Sequence, residues 1–111
     1  MITPLSIHTS RDGGQARVAA EGEIDLSTVG ELRDAVLRCA EGAERLLLDV
    51  ERIDFIDTTG LAALLELRST LQARGVLFEI AAADGPVRQA VDVTGLGHLL
   101  AVSTDGDRAV S

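Results

Sequence analysis

Apolar and polar positions alternate twice near the start of the chain. Leu5, Ile7 and Thr9 are separated by Ser6 and His8, and Ala16, Val18 and Ala20 by Arg17 and Ala19. A period of two predicts a pair of half-buried strands. Between them, Arg11-Asp12-Gly13-Gly14 supplies two glycines that reach positive φ without a steric penalty, so the pair reads as an antiparallel hairpin with a short loop.

After Gly22-Glu23-Ile24-Asp25 the period lengthens. Val29, Leu32, Val36, Cys39 and Ala40 fall on one face of a helix. Thr28 and Glu31 stand at capping-box spacing, which predicts a helix start near Thr28, and Gly42 suits its stop. Leu46-Leu47-Leu48-Asp49-Val50 is a continuous apolar run, expected for a central strand covered on both faces. A loop is expected over Glu51 to Asp57. Leu61, Leu64, Leu65, Leu67 and Leu71 then predict a second helix closed by Gly75, and Val76 to Ala81 another buried strand.

Asp84-Gly85-Pro86 is a helix-start signal, because proline at the first helical position lacks only an amide that would be unpaired anyway. Val87, Ala90 and Val91 give that helix an inner face. Gly95 and Gly97 precede Leu99-Leu100-Ala101-Val102, a short last strand, and the polar residues 103–111 are expected to form a mobile tail. The order ββαβαβα with a late strand predicts the α/β class: a single domain over residues 1–111, its mixed sheet of four to five strands opening with a β-hairpin and carrying packed helices.

Composition narrows the chemistry. At 111 residues the chain is of single-domain size and able to bury a core without metal or disulfide. Cys39 is its one cysteine, which excludes an internal disulfide and fits a reducing cytoplasm. Neither a leader-like start nor an apolar run long enough to span a membrane is present, so no membrane span is expected. Eighteen acidic against ten basic residues leave a net charge of -8, which repels a phosphate backbone; direct nucleic-acid binding is not expected. A basic docking face on another protein is the better match.

The most specific segment is Phe55-Ile56-Asp57-Thr58-Thr59-Gly60-Leu61, running directly into the second helix. Free amides and the positive end of the helix dipole can hold a hydroxyl, a carboxylate or a phosphate at such a point. Spacing alone favours plain capping, since Asp and Thr are preferred N-caps; the geometry also permits a phosphoacceptor.

This segment resembles the Asp-Ser/Thr-Ser/Thr-Gly signature of the STAS domain, shared by sulfate transporters and anti-sigma-factor antagonists. Gly22-Glu23-Ile24-Asp25 is similar to the family's Gly-Glu-Leu/Ile-Asp segment, and Val93-Thr94-Gly95-Leu96 to its Thr-Gly-Leu segment, so the resemblance spans nearly the whole chain. It implies an anti-sigma factor antagonist that binds, unphosphorylated, an anti-sigma factor with serine/threonine kinase activity and frees a sigma factor. Thr59 matches the hydroxyl residue the kinase phosphorylates. Asp25, Asp57, Thr58 and Gly60 match the flanking positions of the partner-binding site, and a serine/threonine phosphatase would reset the switch. Threonine stands where the best-known members have serine. The resemblance implies no cofactor and no catalytic residue.

Two other functions compete. The same fold could be a fixed subunit of a stress-signalling scaffold or lipid-transport complex, with Thr59 an interface residue. An enzyme using Thr59 as nucleophile and Asp57 as base ranks last, because adjacent residues seldom supply a separate orienting group and oxyanion site. Cys39 reads as a small core residue, His8 and His98 as surface residues. Asp49 reads as a backbone-bonding residue and not, with Asp54, as a metal ligand.

Overall fold

The computed structural model describes residues 5–82, 85–95 and 102–103. Its elements are β1 (Ser6–Asp12), β2 (Gln15–Ile24), α1 (Val29–Cys39), β3 (Arg45–Ile56), α2 (Thr58–Ala73), β4 (Leu77–Ala81), α3 (Pro86–Thr94) and β5 (Val102–Ser103). They form one mixed sheet in the order β1-β2-β3-β4-β5. β1 runs antiparallel to β2, and the remaining neighbours are parallel. Each parallel step moves the same way across the sheet, so right-handed crossovers bring the helices to one face.

Packing agrees with that layering. Leu32 and Val36 of α1, Leu64, Leu67 and Leu71 of α2, and Val87 and Val91 of α3 join alternate strand residues, among them Val18, Leu46, Leu48 and Ile80, in one core. Leu47 and Ala81 point the other way and make a small separate cluster. All three leucines of the run at 46–48 are buried, as expected of a central strand.

The hairpin closes as predicted, with Asp12 opposite Gln15. Of the two loop glycines, Gly13, at φ 60, uses the left-handed region and Gly14 does not. β1 is an edge strand and mostly exposed, with Leu5 buried just before it. Arg11 reaches from this strand across to the end of α1, its guanidinium donating to the carbonyls of Cys39 (3.1 Å), Glu41 (3.0 Å) and Gly13 (2.8 Å).

Three expectations are corrected. The segment from Glu51 to Ile56, expected as a loop, continues β3. The partner of Ala19 is Asp49 but that of Glu21 is Arg52, and Gly22 pairs with Ile53 but Glu23 with Phe55, so β3 carries one extra residue at each of two bulges. Bulges break the alternation that identifies a strand, which hid this half of β3. The capping box does not form either. Thr28 is the N-cap of α1, but no side-chain cap bond is made. Finally, Ser103 lies in β5, paired with Ala81; Asp84, Leu96, Gly97, His98, residues 99–101 and the rest of the expected tail, 104–111, fall outside the described residues.

Pro86 starts α3 with Gly85 as its N-cap, and Gly95 ends it at φ 72. Cys39 is half-buried and packs on the core. Among the described residues no helix is long and apolar enough to cross a membrane.

Candidate functional site

β2 and β3 end level with one another: Ile24 pairs with Ile56, and the amide of Asp57 donates to the carbonyl of Ile24 at 3.2 Å. The next residue of each chain segment is an aspartate. Parallel pairing therefore brings Asp25 and Asp57, 32 positions apart in sequence, to the same strand-end edge, where binding sites of open α/β sheets collect.

Asp57 is extended and caps α2, its carboxylate accepting from the Gly60 amide at 2.9 Å. Thr58 and Thr59 then occupy the first and second helical positions, where amides have no intrahelical partner. Thr58 is exposed and Thr59 half-buried. Neither hydroxyl bonds another described residue. Gly60 is buried against Ile24 and Ile56, which leaves no room for a Cβ. Its part in the site is thus to seat the helix start on the strand ends.

Asp25 opens a tight turn into α1. Its Oδ1 accepts from the Ser27 amide (2.9 Å), the Ser27 hydroxyl (2.7 Å) and the Thr28 amide (3.2 Å). The Ser27 hydroxyl first, and the two amides with it, hold this carboxyl below the usual carboxylate range. Thr28 is a buried polar residue, 7% exposed. Its hydroxyl accepts from the Asp25 amide (3.0 Å) and donates to the Glu23 carbonyl (2.8 Å).

The five residues singled out from sequence, Asp25, Asp57, Thr58, Thr59 and Gly60, therefore meet at one edge. Reading the sequence assigned Thr28 to helix capping and gave Ser27 no part. The Asp-x-Ser-Thr spacing at 25–28 is an Asx-turn signal that could have found them. Leu26, 77% exposed, and Phe55, 46% exposed, are apolar side chains left in solvent at the same edge. Asp49 is remote from it: it bonds the Glu51 amide at 3.1 Å and also pairs with Arg17, which sequence did not anticipate. Among the described residues no three His, Cys, Asp or Glu side chains are placed to hold a metal ion.

A family model described as "Mlab, STAS domain" matches residues 7–101. Among solved structures, an anti-sigma factor antagonist from Mycobacterium paratuberculosis superposes with a TM-score of 0.86 at 23% identity, covering 96% of this chain and 91% of that one. The anti-sigma factor antagonist SpoIIAA in its unphosphorylated form gives 0.70 at 19% identity, with 93% and 92% covered. The phosphorylated form of SpoIIAA, a Bacillus cell fate determinant, gives 0.69 at 17% identity, with 93% and 96% covered. No curated protein matches the sequence. At these identities the structural likeness is one of fold.

Proposed function

The chain belongs to the STAS-domain family, and from that premise we propose that it is an anti-sigma factor antagonist switched by phosphorylation of Thr59. The observation that carries the reading is the pair of threonine hydroxyls on the first turn of α2, bonded to no other described residue, at the edge that Asp25 and Asp57 share. Superposition on SpoIIAA, solved in both phosphorylated and unphosphorylated forms, supports it.

Unphosphorylated, the protein docks this edge on an anti-sigma factor with serine/threonine kinase activity, which lets go of its sigma factor. Asp25, Asp57, Thr58 and Thr59 make the contact, and Gly60 lets α2 sit close enough for them to act together. In the kinase step the Thr59 Oγ attacks the γ-phosphorus of ATP. A new O–P bond forms, the bond to ADP breaks, and the hydroxyl proton leaves to a kinase base. The product carries about -1.5 to -2 extra charge on an acidic edge. Leaving that charge unpaired in an interface costs several kcal/mol, and about 4 kcal/mol weakens binding roughly a thousandfold. No refolding is needed, since the free amides of the helix start can hold the phosphate in the separated protein. A serine/threonine phosphatase restores the docking form, and the cycle belongs in the cytoplasm with its kinase.

The test is incubation with a purified anti-sigma kinase and ATP, followed by peptide mass spectrometry. Phosphate on Thr59 and loss of the complex are expected. Phosphate only at other residues, or a complex indifferent to ATP, overturns the switch; the second result points to a fixed subunit of a larger assembly.

A further inference from the structure

An N-capping threonine ordinarily bonds an amide of the first helical turn through its hydroxyl. Thr28 does not: its oxygen accepts from the Asp25 amide at 3.0 Å and its single proton goes to the Glu23 carbonyl at 2.8 Å. That proton is then spent, so the 3.4 Å approach of the same oxygen to the Asp25 carboxylate is not a second donation. A buried hydroxyl is thereby used to tie together the backbone on both sides of Ile24, at the end of β2. Beyond it, every donor that reaches the Asp25 carboxylate arrives at Oδ1: the Ser27 amide, the Ser27 hydroxyl and the Thr28 amide. Oδ2 accepts from no described residue.

We propose that Ser27 and Thr28 are positioning residues that fix the Asp25 carboxylate with Oδ2 outward, as a preformed acceptor for an N–H group of the protein partner. This rests on the reading of the edge as the partner site. Each part has a distinct task. Thr28 anchors the backbone of Asp25 to the strand end, so the residue keeps its place beside the start of α2. Ser27 satisfies one carboxylate oxygen and stops rotation of the group, leaving the other free. A carboxylate held in its bound orientation loses less side-chain entropy on docking than one free to rotate. The lowered carboxyl pKa is consistent with several donors held on its ionised form.

The test compares Ser27→Ala, Thr28→Val and Thr28→Ser with wild type and with Asp25→Asn. The first readout needs no partner: the Asp25 carboxyl is titrated by carbon-detected NMR in the free protein. Ser27→Ala and Thr28→Val should raise its pKa toward the ordinary value, and Thr28→Ser should leave it in place. The second readout is the affinity, by calorimetry, for the purified kinase used above. Ser27→Ala should weaken it about tenfold, the scale of one hydrogen bond to a charged group, and Thr28→Ser should bind as wild type. Because Ser27 is exposed, its alanine variant keeps the test valid even if Thr28→Val fails to fold.

An unmoved Asp25 titration in Ser27→Ala overturns the positioning role whatever the partner does. A moved titration with unchanged affinity, when Asp25→Asn binds poorly, overturns it too while leaving the partner site intact. Unchanged binding in Asp25→Asn removes Asp25 from the interface and overturns the proposal; the phosphorylation of Thr59 is then judged separately by mass spectrometry.

Discussion

A methyl group added to Gly60 would lie 2.7 Å from Cγ2 of Ile24 and 3.1 Å from its carbonyl oxygen, with Cγ1 of Ile56 at 2.8 Å. The start of α2 is therefore seated against the ends of β2 and β3 at a distance only glycine allows. Gly60→Ala should destabilise the domain by about 1–3 kcal/mol through overpacking, less the ~1 kcal/mol that alanine gains in a helix. Urea unfolding measures it. A midpoint at or above that of wild type would show that the neighbours can give way.

Thr59→Glu should separate folding from binding. A carboxylate on the first turn of α2, which has no acidic residue of its own, interacts favourably with the helix dipole by about 0.3–1 kcal/mol, partly offset by repulsion from Asp57. Thermal stability is thus expected to stay level or rise slightly, whereas affinity for the anti-sigma kinase falls on the order of a thousandfold. Wild-type affinity in this variant would defeat the charge-based switch, and a marked drop in thermal stability would defeat the placement of the residue.

Arg11→Ala should loosen the join between the hairpin and α1. Its guanidinium serves the carbonyls of Cys39 and Glu41, at the helix end where the dipole is negative. The loss should be about 1 kcal/mol, since the site is exposed. Lysine should not restore it fully, lacking the fork that reaches three carbonyls at once. Equal unfolding midpoints for wild type and Arg11→Ala would rule out this cap.

Asp25 also predicts a local response to acid. Its carboxyl pKa is lowered in the folded state, chiefly by the Ser27 hydroxyl. A lowered folded-state value means a contribution present above the unfolded-state value and lost as the pH falls through the folded one. The Ser27 and Thr28 amides, which donate to this carboxylate, should shift together in NMR spectra as it protonates, below the usual carboxylate range. Amide shifts unchanged down to acid unfolding would contradict it.

Much of this was legible in the residues. The periods of β1, β2 and the first two helices, the glycine turn at Gly13 and proline at the start of α3 are local, and these elements stand where the sequence places them. So was the aspartate-led start of α2, because capping depends on neighbours in sequence. The second half of β3 was not legible, as its two bulges are defined only against β2. The Thr28–Glu31 capping box failed for a different reason: the Thr28 hydroxyl bonds the Asp25 amide and the Glu23 carbonyl inside the turn, a competing local set of bonds.

The sequence by itself determined the order of elements, the class of the fold and the presence of hydroxyls at a helix start, since these follow from the backbone preferences of adjacent residues. Only the tertiary structure decided that Asp25 stands beside that helix and that Gly60 must lack a side chain. Both follow from the parallel register of Ile24 with Ile56, a pairing between segments 32 positions apart that no local preference can specify.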